Sequence, residues 1–158
     1  MINIKKTTIT LSLLLLLSCG FQPIYSKKEM EGSYNFYINE IKFTNKNITN
    51  QVVKNYLKNY LKEKENSNKL NLKINTSIVK TIASKNIQGN AETFLSEIIV
   101  YLEVYEKNSL KGKKKFKEKF EYKNQKNKFN LNKYEKNIHN NLITKISNDI
   151  ILYLYSIK

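Results

Sequence analysis

From Phe94 to Tyr105 the chain reads FLSEIIVYLEVY, and its side chains sort into two faces of an extended strand. Phe94, Ile98, Val100, Leu102 and Val104 share one face, and Glu97, Tyr101, Glu103 and Tyr105 share the other. A period of two held over so many residues cannot sit on one face of a helix, so it commits the centre of the chain to a half-buried sheet. The preceding stretch repeats the pattern, with Leu70, Leu72, Ile74, Thr76 and Ile78 alternating with Asn71, Lys73, Asn75 and Ser77. A third alternation sets Phe116, Phe120 and Tyr122 against Lys115, Lys117, Lys119 and Glu121. Between these strands, residues 83–91 (ASKNIQGNA) read as a turn. Residues 107–112 (KNSLKG) read as a hairpin loop in which Gly112 supplies permissive backbone. Tyr34 to Phe43 reads as one more strand: Tyr34, Phe36 and Ile38 hold one phase and Ile41 and Phe43 the other, which predicts a β-bulge near Asn39.

Two segments carry the helical period instead. Between Thr49 and Lys64, the residues Val52, Val53, Tyr56, Leu57, Tyr60 and Leu61 form one apolar stripe, Thr49 or Asn50 offers a cap, and ENSNK (65–69) ends the run. From about Leu131, the residues Tyr134, Ile138, Leu142, Ile146, Ile150 and Tyr153 or Leu154 recur every three or four positions. The last turns, DIILYLYSIK, are apolar on several sides, which fits either deep burial or contact with a partner. The expected fold class is α+β: a four-stranded sheet with two helices packed on one face, in the order β-α-β-β-β-α, as a single domain over residues 34–158.

The amino terminus has a different logic. Lys5 and Lys6 precede an apolar run from Ile9 to Leu17 that is too short to span a bilayer, which takes about 20 apolar residues. Leu16-Leu17-Ser18-Cys19 then matches the lipobox of bacterial lipoproteins, and Cys19 is the sole cysteine of the chain, so it has no partner for an intrachain disulfide. On this reading residues 1–18 are a signal peptide cut between Ser18 and Cys19. Cys19 carries a covalent lipid and anchors the mature chain, two or three acyl chains sufficing for stable attachment. Residues 19–33 form the lipidated terminus and a polar linker. Gly20 stands where an aspartate retains lipoproteins in the inner membrane of enteric bacteria, which favours an outer-membrane location, facing the periplasm.

The formal net charge is +15 with no arginine at all. Removal of Lys5 and Lys6 with the signal peptide leaves the excess in the mature domain. Such a charge suits an acidic partner, while a lysine-, asparagine- and isoleucine-rich composition also follows from A- and T-rich codons. Export and the missing arginine fork both argue against nucleic acid as a partner. The densest run is KGKKKFKEKF (111–120), which sets Lys113, Lys115, Lys117 and Lys119 on one face and Phe116 and Phe120 on the other. It reads either as a solvated face that deters edge pairing or as an anion-binding surface, which Lys80 and Lys85 join if the strands pair in sequence. Catalytic chemistry has little to stand on. His139 is the sole histidine and reads as a solvated helix residue; there is no metal-ligand spacing and no phosphate loop. Glu97 and Glu103 lie about 20 Å apart along one strand, too far to act on one bond. The chain is therefore expected not to be an enzyme, with no catalytic residue, no metal and no cofactor beyond the lipid on Cys19.

The segment CGFQPIY places Cys19, Gly20, Phe21, Pro23, Ile24 and Tyr25 in a pattern that resembles the start of the mature LPS-assembly lipoprotein (LptE-like) family, in its alphaproteobacterial form. The family's element order and length are similar too. The resemblance implies an outer-membrane lipoprotein that plugs the LPS-assembly β-barrel (LptD-like), assists that barrel's assembly and helps deliver lipopolysaccharide (LPS) to the outer leaflet. It implies LPS binding through basic residues, for which Lys80, Lys85, Lys113, Lys115 and Lys117 are the candidates. The chain departs from the family at the start of the third strand, where Phe94 replaces an expected basic residue, and in a last helix rich in lysine, asparagine and isoleucine rather than alanine. A free-standing envelope lipoprotein that binds anionic glycolipid or cell-wall polymer is the alternative.

Overall fold

A computed structural model of the chain describes residues 35–157 other than 64 and 66. The signal peptide, Ser18, Cys19, the linker and Tyr34 lie outside the described residues. The two long alternations form β2 (Asn68–Lys85) and β3 (Ala91–Glu106), paired antiparallel with Leu72 opposite Val104, Ile74 opposite Leu102 and Thr76 opposite Val100. Those six residues are buried, and with Leu70 and Ile98 they form the floor of the core. β4 (Ser109–Lys123) pairs antiparallel with β3 and sets Phe116 opposite Val100. β1 (Phe36–Phe43) runs parallel to β2 on its other side, giving a mixed sheet ordered β1-β2-β3-β4. The register of β1 slips between Ile38 and Glu40, which leaves Asn39 as the extra residue of a bulge. Phe36 and Ile38 before it, and Ile41 and Phe43 after it, thereby lie in register with the core-side Leu72 and Ile74 and their phase, as the switch of pattern predicted.

Parallel strands need a crossover, and α1 (Ile48–Leu57) supplies it, tightening into a 3-10 turn over Lys58–Leu61. The helix is shorter than its apolar stripe suggested, and its cap is Asn47, whose side chain accepts from the Thr49 N–H at 3.3 Å. The two residues expected to cap it serve the packing instead. Buried Thr49 hydrogen-bonds Thr76 of β2 at 3.2 Å, and Thr76 donates to Asn50 Oδ1 at 2.6 Å. α2 (Lys128–Ser156) lies on the same side of the sheet, and Leu131, Ile138, Leu142, Ile143, Ile146, Ile150, Ile151 and Leu154 are its buried apolar stripe. Its apolar end is thus resolved in favour of burial, although Leu152 stays 39% exposed. The architecture is the expected α+β fold with both helices on one face.

Two turns differ from their sequence reading. The β3–β4 hairpin closes on Lys107 and Asn108 alone, with φ of 47° and 65°. Positive φ at both central residues matches the right-handed twist of the flanking strands. Gly112 is therefore inside β4, opposite Val104, and not in the loop. Its lack of a side chain serves a close approach, because the Tyr153 hydroxyl of α2 occupies the place where a Cβ would stand. The β2–β3 turn is shorter than residues 83–91 and spans 86–90, with Gly89 at φ 82°.

Candidate functional site

The sheet face away from the helices carries the lysines, in rows set by register. Lys73, Glu103 and Lys113 form one row across β2, β3 and β4; Asn75, Tyr101 and Lys115 form the next; Ser77, Ile99 and Lys117 the third; Val79, Glu97 and Lys119 the fourth. Lys113, Lys115 and Lys117 are thus brought together on one face, as alternation required. The acids of β3 sit among them. Lys113 Nζ lies 2.8 Å and Lys73 Nζ 3.5 Å from Glu103, and Lys117 Nζ lies 2.6 Å from Glu97. Lys115 stands over the Tyr101 ring at 5.3 Å. The hydrogen bonds to Glu103 from Lys113 and then from Tyr105 hold its carboxyl down to about 2, against the upward push of burial, and the same bond raises Lys113. The surface is therefore a lattice of both signs with lysine in excess, not a bare cationic strip. Glu97 and Glu103 are each engaged by lysines, which accounts for them as members of a charged sheet face.

Lys80 and Lys85 do not join it. Lys80 is on the helix side, where its Nζ lies 2.5 Å from Glu135 of α2 and 4.0 Å from the centre of the Phe94 ring. Successive residues of a strand point to opposite faces, so Lys80, in phase with the core-side Leu70, Leu72, Ile74 and Thr76, is turned toward the helices. Lys85 pairs with Ala91 at the far end of the hairpin, eight positions from Ser77 and so roughly 26 Å away from the Lys117 row.

Glu135 heads a polar cluster beneath α2. It also accepts from Tyr122 at 2.8 Å, and burial pushes its carboxyl up while the Lys80 and Tyr122 bonds outweigh that and hold it low. One turn on, His139 Nε2 meets the fully buried Ser96 Oγ at 2.8 Å. His139 is therefore half-buried and bonded, not solvated as its polar sequence neighbours suggested. Burial holds its ring below the ordinary value, with Glu135 acting upward and Lys80 downward. Ser96 has no access to solvent, and its bond to His139 ties helix to sheet. Among the described residues no three His, Cys, Asp or Glu side chains gather as a metal site, and no helix is long and apolar enough to cross a membrane.

On the open face, Thr44, Lys73, Asn75, Tyr101 and Glu103 line a basin of about 460 Å³. Sequence reasoning placed Tyr101 and Glu103 on one face but missed the basin, since Thr44, the residue after β1, is brought beside β2 by the parallel pairing of the two strands.

No protein-family model matches the sequence, and no curated protein matches it. Solved structures match in fold. Rare lipoprotein B from Shewanella oneidensis superposes with a TM-score of 0.59 at 11% identity, over 75% of this chain and 95% of its own. A minor lipoprotein from Acinetobacter baumannii gives 0.60 at 11%, over 78% and 92%. An uncharacterized lipoprotein B from Nitrosomonas europaea gives 0.57 at 10%, over 78% and 84%. This chain thus has the fold of those proteins, two helices on a four-stranded mixed sheet.

Proposed function

We propose that the chain is an outer-membrane lipoprotein subunit of the LPS-assembly translocon, held by lipid on Cys19, which plugs an LptD-like β-barrel and helps pass lipopolysaccharide to the outer leaflet. The observation that carries this reading is the shared fold with rare lipoprotein B over 95% of that protein's length, in a chain that also places its sole cysteine at a lipobox. The covalent lipid supplies the membrane attachment, and the excess lysines of the open face supply point charges for lipid A phosphates. A plug needs two-sided burial, and the tyrosines of the open face, Tyr101 and Tyr105, give that face an amphipathic surface for a barrel wall. The second reading is a free-standing envelope lipoprotein that binds anionic glycolipid or cell-wall polymer; the pairing of Lys113 and Lys117 with Glu103 and Glu97 reduces what those two lysines offer an anion in either reading.

A pull-down of the tagged protein from outer membranes solubilised in detergent, with mass spectrometry of what accompanies it, separates the two. The translocon reading expects a large β-barrel in near one-to-one amount. Recovery of the lipoprotein alone, under mild detergent and low salt, overturns it in favour of the free-standing binder. Independently, Cys19→Ser is expected to abolish acylation and release the chain from membranes on fractionation. Acylation that persists by mass spectrometry removes Cys19 as the anchor.

A further inference from the structure

The basin on the open face has a composition that the excess of lysine elsewhere does not explain. Tyr101, 46% exposed, is part of its lining, and among the described residues the Tyr101 hydroxyl has no hydrogen-bond partner. Around the ring stand a neutral amide, a hydroxyl, a carboxylate and an ammonium. Asn75 Nδ2 donates to Thr44 Oγ1 at 2.7 Å, which leaves the Asn75 carbonyl oxygen to accept and the Thr44 hydroxyl to donate. Glu103 is held by Lys73, Lys113 and the Tyr105 hydroxyl at 2.7 Å, so its carboxylate has partners on the protein before any ligand arrives.

From this arrangement we infer that the basin formed by Thr44, Lys73, Asn75, Tyr101 and Glu103 is a binding site for a neutral pyranose unit of a glycan. A sugar ring offers a flat patch of weakly positive C–H groups on one side and a rim of hydroxyls that both donate and accept. Lys115 stands 5.3 Å from the centre of the Tyr101 ring but does not line the basin, so the patch meets the part of the ring turned toward Asn75 and Thr44, and the rim suits alternating donors and acceptors around it. A volume of about 460 Å³ lies within the ordinary range for small-ligand sites. A phosphate fits poorly, since the Glu103 carboxylate forms part of the lining and already holds the two lysines nearest to it. A purely apolar ligand would leave Asn75 and Thr44 without replacement for water. The inference does not rest on the translocon reading: a barrel-bound plug and a free-standing lipoprotein both meet glycans, as LPS core sugars or as cell-wall polymer.

The test uses the full lipidated chain in a detergent without a sugar headgroup, probed by saturation-transfer NMR. The probes are a neutral hexose trisaccharide, a chitin trisaccharide and inorganic phosphate. Saturable binding of either trisaccharide, insensitive to salt and not displaced by phosphate, is expected; preference for the first marks a core-oligosaccharide type of source and for the second a cell-wall type. Tyr101→Ala should weaken that binding by about tenfold, whereas Tyr101→Phe keeps the ring and stays within about threefold. Asn75→Ala, a second exposed position, should also weaken it, with unchanged circular dichroism showing that the fold survives. No saturable sugar binding, displacement by phosphate, or equal binding by wild type and Tyr101→Ala each overturns the inference. A barrel recovered in the pull-down with no sugar binding here would leave the translocon reading intact and sink this one alone.

Discussion

His139 shows how much one side chain can change when its surroundings are known. Between Ile138 and two asparagines it looks like a surface residue, yet it bonds the buried Ser96 and faces Glu135 on its own helix and Lys80 on β2. Its folded pKa lies below the ordinary 6.5, so the neutral ring's contribution is complete above pH 6.5 and is lost as the pH falls through the lower folded value. His139→Gln retains an amide able to bond Ser96 but does not titrate. Urea midpoints of the wild type should therefore fall more steeply between about pH 7 and pH 5 than those of the variant. Parallel profiles would remove His139 from the acid response. Gly112 is the second residue whose meaning depends on a distant partner. The Tyr153 ring that fills its missing Cβ also packs edge-on against Phe116 at 6.1 Å between centroids and lies under Lys114 at 4.8 Å, so it has little freedom to move. Gly112→Ala should cost about 1–2 kcal/mol by chemical denaturation through overpacking. Tyr153→Phe removes the colliding oxygen, and the double variant should recover part of that loss. Strict additivity of the two changes would show that they do not meet.

At the level of elements, alternation and period predicted the strands and helices well, because burial against one core enforces both. The bulge at Asn39 was legible because a phase switch inside a short strand has few other solutions. Helix termini were less so. Thr49 and Asn50 have capping side chains, but a cap depends on where the backbone leaves the helix, and the tertiary bonds to Thr76 claimed both residues while Asn47 capped α1. The β3–β4 hairpin was placed but drawn too long for a related reason: glycine drew attention to position 112, whereas Lys107 and Asn108 adopt positive φ because a two-residue hairpin requires it. Capping at α2 is better defined, since Asn127 Oδ1 accepts from the Phe129 N–H at 2.9 Å and the Asn130 N–H at 3.2 Å. Asn127→Ala should therefore lower stability by about 1 kcal/mol, and Asn127→Asp should cost less because a carboxylate suits the helix start. A larger loss for the aspartate would assign Asn127 a role beyond its cap.

Over the whole molecule, the lysine excess divides into charges with protein partners and charges without, and that division was invisible in the sequence. Strand phase gave the shared face of Lys113, Lys115 and Lys117 and the turn of Lys80 toward α2, but pairing decided that Glu97 and Glu103 would stand among the β4 lysines. Reversing Lys113 or Lys117 would bring like charges against Glu103 or Glu97 and confound binding with folding. Lys115 and Lys119 form no ion pair among the described residues, so they isolate the contribution of the unpaired lysines to binding. The double variant Lys115→Gln with Lys119→Gln should unfold within about 0.5 kcal/mol of the wild type, since both side chains are exposed. If the open face meets lipid A phosphates, the same variant binds LPS-bearing vesicles more weakly at low salt, and the two proteins converge as ionic strength rises past the range where about 10 Å of screening remains. Identical binding across the salt series would instead assign these lysines to the free edge of β4, where a row of ammonium groups keeps a second sheet from pairing with it.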